Sequence, residues 1–271
     1  MQLKFTYLIY LFAVLFASCS NSDNLLQYST LNYNDSTDNK KFNLNYTFEG
    51  AIQLPKSSDE NIDINIVHDS IIDNILGEKY TSSHTQKPLK AYSDTSFNQI
   101  LSDIKEIRPY NHEDEEDDFS YQHIYKYNIK GEIMFNLDSL IFYRKTFSSY
   151  TEGAHGMVIV NNYVFNMING KQLSEKDIFT PNYEIALHKL LVKYGYEQYP
   201  DSIFFDNNLI VPNGNISLTA HEISYTYNPY EIAPYCCGVI DIKIPLEALK
   251  NICDSTTVLG NYIVNHFNRE Q

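Results

Sequence analysis

The sequence predicts an α+β protein of two small subdomains, each a mostly antiparallel sheet with one or two packed helices. Three observations lead there. Short runs alternate strictly between apolar and polar residues and are separated by Gly, Asn and Pro. Only a few segments switch to helical spacing. Tyrosine is abundant, with 23 residues and no tryptophan, which suits half-buried pleated surfaces.

Residues 1–18 run from Lys4 through an apolar stretch to Ala17 and Ser18, too short for a comfortable membrane span but with the layout of an export signal. Residues 19–40 are rich in Asn, Ser and Asp and read as a flexible tether. The first domain is expected over residues 41–147. There Phe42, Leu44, Tyr46 and Phe48, continued by Ile52 and Leu54, make a strand bent at Gly50. Ile62, Ile64 and Ile66 predict a second strand, and residues 69–76 a helical turn bearing Ile72, Ile75 and Leu76. Phe97, Ile100, Leu101, Ile104 and Ile107 predict a helix capped by Asp94 or Ser96 and stopped by Pro109. The acidic run 113–118 beside His112 lacks the spaced oxygens and turn glycine of a calcium loop, and reads as a solvated connection. Tyr121, His123, Tyr125, Tyr127 and Ile129 form one alternating run and Ile133, Phe135 and Leu137 another, with a bulge or turn at Gly131. Residues 140–147 close this domain as a strand.

The second domain is expected over residues 148–271. It opens with a strand at 157–167 ending in the hairpin turn Asn169-Gly170. A short helical turn follows within 174–179, then a helix at 183–194 with Leu187, Leu190, Leu191 and Tyr194 on one face. A hairpin pairs 216–219 with 223–227, a strand runs over 239–244, and Pro245 opens a helix at 246–252. Between the last two strands lies the most informative stretch, residues 225–238. It carries Tyr225, Tyr227, Pro229, Tyr230, Glu231, Pro234 and Tyr235, followed by Cys236, Cys237 and Gly238. Two prolines interrupt pairing on both sides of Tyr230 and Glu231, so the segment is a stiff aromatic loop.

The formal charge of −14 repels nucleic acid and favours basic proteins or cations. No phosphate-cradling glycine loop, basic patch or zinc-ligand spacing is present, so no cofactor, metal or nucleic-acid role is expected. Beyond Cys19, the cysteines are Cys236, Cys237 and Cys253. Neighbouring cysteines on a strand face opposite ways and do not bond to each other. Either one pairs with Cys253, or all stay as buried thiols.

Cys19, directly after the apolar core, resembles the lipobox cysteine of bacterial lipoproteins, although Phe16 stands where leucine is commoner. That resemblance implies a lipid on Cys19 and attachment to the cell envelope, with Ser20 pointing to the outer membrane. Three further landmarks follow in order: Tyr150 to Gly156, including His155; Phe165 to Phe179, including Gly170 and Asp177; and Tyr227 to Tyr235 with Gly238. Together, over residues 148–267, they resemble the RsiV-like C-terminal domain, with Glu152 where that family usually has a small residue. The preceding half is similar, by position and pattern, to the small domain that accompanies it in envelope peptidoglycan deacetylases.

The resemblance implies a binding module that meets a basic lysozyme-like protein or a peptidoglycan fragment through Tyr227, Pro229, Tyr230, Glu231, Tyr235 and His155. Tyrosine supplies contact area at low entropy cost, and proline holds it in place. Two alternatives stand beside it: a hydrolase of envelope glycan or peptide using His155 and Glu231, and a purely structural envelope protein with the loop packed inward.

Overall fold

The computed structural model describes residues 26–57, 59, 62–107 and 122–265. The expected signal segment, Cys19 and the acidic run 113–118 lie outside the described residues. Strand β1 (Tyr28–Asn39) pairs antiparallel with β2 (Leu44–Pro55) along its whole length, from Tyr28 opposite Pro55 to Asn39 opposite Leu44. These residues were expected to be tether. Their polar composition reflects an edge strand whose backbone supplies the pairing, while Leu31 and Tyr33 reach the core and the Tyr33 ring lies 6.1 Å from that of Phe48.

In β2, Leu44, Tyr46, Phe48, Ile52 and Leu54 are buried in alternation, as their spacing requires. The segment predicted as a second strand is instead the start of helix α1 (Ile64–Leu76). Asp63 caps it by accepting from the Asn65 N–H at 3.1 Å. Val67, Ile71, Ile72, Ile75 and Leu76 then bury one helical face, and that packing overrides the β-branched alternation of Ile62, Ile64 and Ile66. Helix α2 (Pro88–Ile107) starts well before the expected caps, with Pro88 at its first position. Asp94 binds Lys90 and the Ser96 hydroxyl donates to the Tyr92 carbonyl, so neither is a cap.

The two helices form the crossover that a parallel pairing demands, and β3 (His123–Leu137) lies parallel to β2. β3 runs unbroken through Gly131; the bulge falls between Ile133 and Phe135. Strands β4 (Leu140–Thr151), β5 (Met157–Asn166) and the short β6 (Gln172–Leu173) complete a six-stranded sheet in sequence order. The boundary expected at 147/148 thus falls inside β4, and one sheet spans both halves.

Helix α3 (Glu184–Gln198) follows, then a three-stranded antiparallel sheet of β7 (Ile216–Leu218), β8 (Glu222–Tyr227) and β9 (Ile240–Pro245), and the short helices α4 (Leu246–Leu249) and α5 (Val258–Asn265). The alternation of β4 and β5 divides the interior into two cores. Ile141, Tyr143 and Phe165 face α1 and α2, whereas Leu140, Phe142 and Val164 face the small sheet and α3 to α5. Among the described residues no helix is long and apolar enough to cross a membrane.

Candidate functional site

The side of the large sheet that carries Phe142 is covered only in part. Register across the strands sets Asn34, Glu49, Asn128, Ser148 and Val158 in one row, and Ser36, Thr47, Lys126 and Tyr150 in the next. Residues of these rows, together with Gly156, Met157 and Tyr235, line an open groove of about 330 Å³. The Asn128 amide donates to Glu49 at 3.1 Å across its floor.

The Pro-Tyr loop forms one wall. The Glu231 N–H donates to the Asn228 carbonyl at 3.0 Å and the Tyr230 N–H to the Ala233 carbonyl at 3.1 Å, which closes a tight turn. Ile232 and Ala233 are buried, and the Phe205 N–H holds the Ile232 carbonyl at 2.9 Å. With its base so anchored, Tyr230 is pushed outward at φ +73° and is 55% exposed. A tyrosine in that left-handed region is strained, a cost the buried neighbours offset.

Tyr235 stands at the centre of an aromatic stack. The His155 ring lies parallel to it at 3.9 Å, and the Tyr230 ring lies 5.7 Å away at a tilt. The Tyr235 hydroxyl and His155 Nδ1–H both donate to the Gly156 carbonyl. The segment after β4 is therefore tied to the Pro-Tyr loop through one backbone oxygen. Glu152, the departure from the resembled motif, sits at φ +68° and accepts from His123 Nδ1 at 2.8 Å and the Ile124 N–H at 3.2 Å. It pins this segment to the start of β3.

Of the residues expected at the contact surface, the structure brings together Tyr230, Tyr235 and His155, with Pro229 half-buried beside them. Tyr227 is a correction: it is 1% exposed and its hydroxyl donates to the Val211 carbonyl at 2.8 Å. Burial, and then the nearby Glu175 and Glu231, push its phenol well above the usual range. The strand alternation of β8 would place Tyr225 and Tyr227 on the core side, and both are there. Glu231 is exposed and accepts only from the Asn213 and Asn228 amides, each at 3.3 Å. No hydrogen bond or ion pair joins it to His155.

Four asparagines that sequence reasoning passed over build the seam between the sheets. The Asn228 side chain accepts from the Val160 N–H at 2.6 Å and donates to the Val160 carbonyl at 3.1 Å, occupying the edge of β5 as a strand would. Asn215 donates to the same carbonyl at 2.8 Å and accepts from the Asn162 N–H at 2.7 Å. The Asn162 amide reaches Thr226 Oγ1 at 2.8 Å and accepts from Arg144 at 2.9 Å, and Asn213 donates to the Thr226 carbonyl at 2.9 Å. The available signal was Asn213-Gly214-Asn215 just before a strand, with Asn228 just before a proline.

Cys236, Cys237 and Cys253 are free thiols, one of the two states expected of them, but only Cys253 is buried. Cys236 and Cys237 lie in a 3-10 turn (Tyr235–Cys237), where consecutive side chains do not alternate between faces. Among the described residues no three of His, Cys, Asp and Glu come together as a metal site.

Fold and site together define an α+β protein with an open groove of mixed polar and apolar lining, which Tyr235 joins to the aromatic stack beside it. Residues 176–247, from the turn after β6 to the start of α4, match the family model described as "Protein of unknown function (DUF3298)". Two solved structures share the fold. A member of that family from Bacteroides fragilis is 24% identical at a TM-score of 0.71, covering 87% of this chain and 96% of that one. A DUF3298 family protein from Pseudomonas aeruginosa is 17% identical at a TM-score of 0.55, covering 86% of this chain and 96% of that one. No curated protein matches the chain.

Proposed function

We propose that this protein is an RsiV-like, non-catalytic envelope module, held to the outer membrane through a lipid on Cys19, that binds a cell-wall glycan. The observation that carries the reading is the Tyr230–Tyr235–His155 stack standing beside a groove floored by Glu49, Lys126, Asn128 and Ser148. A sugar ring offers a C–H face to an aromatic surface and hydroxyls to amides, carboxylates and ammonium groups, and this groove offers those partners side by side. Tethering by hydrogen bonds at Gly156 and by buried Ile232 keeps the stack in place before a ligand arrives, which lowers the ordering cost of binding.

A basic lysozyme-like protein is the second reading, supported by the charge of −14 and by the exposure of Tyr230 and Glu231 at the loop tip. The hydrolase reading lacks an acid–base pair, since His155 is engaged with Gly156 and Tyr235 and Glu231 with two amides.

Calorimetric titration with peptidoglycan fragments and with lysozyme, at two salt concentrations, tests this. Glycan binding that weakens at least about tenfold in Tyr230→Ala and changes little with salt supports the reading. Salt-sensitive binding of lysozyme alone transfers it to the protein partner. Binding of neither, or affinities untouched in both Tyr230→Ala and Tyr235→Ala, rejects it.

A further inference from the structure

We infer that Cys236 and Cys237 form a reversible redox site, a vicinal dithiol that exchanges with small disulfides to close a bond between the two neighbouring residues. Cys236 is exposed and borders a shallow pocket of about 360 Å³ with Val158, Pro229, Tyr235, Gly238 and Val239. A low-molecular-weight disulfide therefore has access to its sulfur. Cys237 is half-buried against the second core and follows Cys236 directly in the same 3-10 turn. Burial, then the neighbouring Cys236, raise the Cys237 thiol above its ordinary range. Cys253 is closed to the same chemistry: it is 6% exposed, and burial pushes its thiol up to about 12.

The exchange has two steps. The Cys236 thiolate attacks one sulfur of the reagent disulfide, forming a mixed disulfide and expelling one thiolate, which takes up a proton. Cys237 then loses its proton and attacks Cys236 Sγ. The bond between the two protein sulfurs forms, the mixed bond breaks, and the second reagent half leaves as a thiol. The protein loses two electrons and two protons, and the reagent gains both. Neighbouring Cα atoms are about 3.8 Å apart, below the roughly 4.4–6.8 Å that disulfides usually span, so the ring is strained and easily reduced. Labile bonds of this kind are regulatory rather than structural. The same turn carries Tyr235, so the oxidation state acts on the residue at the centre of the aromatic stack.

The test is chemical and needs no ligand of the groove, so it stands or falls apart from the proposed function. The folded protein is incubated with oxidised glutathione and followed by intact mass and peptide mapping, beside Cys236→Ser and Cys237→Ser. The wild type should lose two hydrogens at the peptide holding both cysteines and regain them with dithiothreitol. Cys237→Ser should stop as a glutathione adduct on Cys236, and Cys236→Ser should stay unmodified. A wild type that stays reduced, retains the adduct without closing, or links either cysteine to Cys253 overturns the inference. Should a variant unfold, the wild-type peptide map still decides.

Discussion

Along β4 the side chains facing the small sheet run from Leu140 and Phe142 through Arg144 to Thr146, Ser148 and Tyr150. The first end is sealed under the three-stranded sheet, and the last end lies open as the groove floor. β4 itself runs continuously from one end to the other, and what changes along it is the character of the side chains. Apolar residues drive the covering of one end. The polar ones at the other end leave no reason to cover it, and Arg144 with Asn162 marks the line between them. The sealed end therefore supplies stability, and the open end is free to bind.

Substitutions should separate the two ends. The largest effect is expected from Phe142→Ala, which leaves a cavity between the sheets and should cost about 3–5 kcal/mol in urea unfolding. A loss below about 1 kcal/mol would mean that the sealed end is loosely packed. At the seam, Asn215→Ala strips the Asn162 N–H of its acceptor inside the protein and should cost about 1–3 kcal/mol. Tyr227→Phe removes one buried hydrogen bond to Val211 and should cost about 1 kcal/mol while leaving ligand affinity unchanged. A change in affinity there would move Tyr227 back to the binding side.

Asp177 gives a pH-dependent version of the same comparison. Burial raises its carboxyl, but hydrogen bonds from Lys171 and Ser174 outweigh this and hold it below the ordinary carboxylate range. A depressed folded-state pKa stabilises above the unfolded value, and that stability is lost as pH falls through the folded value. Asp177→Asn should thus be less stable than wild type at neutral pH, with the gap closing in acid. Thermal melts across pH check it. The smallest stability change is expected at the open end: Tyr230→Gly should stay within about 0.5 kcal/mol, relief of the left-handed strain offsetting the added freedom of glycine. Its glycan affinity should nevertheless fall.

Much of this was legible in sequence where one periodicity dominated. The buried alternation in β2, the Asn169-Gly170 turn with Gly170 at φ +69°, and the hairpin of β7 and β8 follow directly from residue pattern. The start of α1 was misread because three β-branched residues at alternate positions resemble a strand, and only tertiary burial decides between the two. Strand β1 was missed because an edge strand with solvent on one face needs few apolar residues. In the site, Tyr230, Tyr235 and His155 were visible as a stiff loop and a glycine-flanked histidine. The row from Asn34 to Ser148 was not, because it exists only once β2 pairs in parallel with β3, far off in sequence, and joins the two flanking antiparallel pairs. The asparagine seam was hidden for the same reason.

The most direct test of the open end as the binding face is calorimetry of a peptidoglycan fragment with wild type and with Lys126→Ala/Asn128→Ala. Both side chains lie on the groove floor, Lys126 exposed and Asn128 half-buried, so the double variant should keep its urea midpoint. The account predicts an affinity at least about tenfold weaker. An unchanged affinity with an unchanged midpoint would contradict it and return the groove to bare surface.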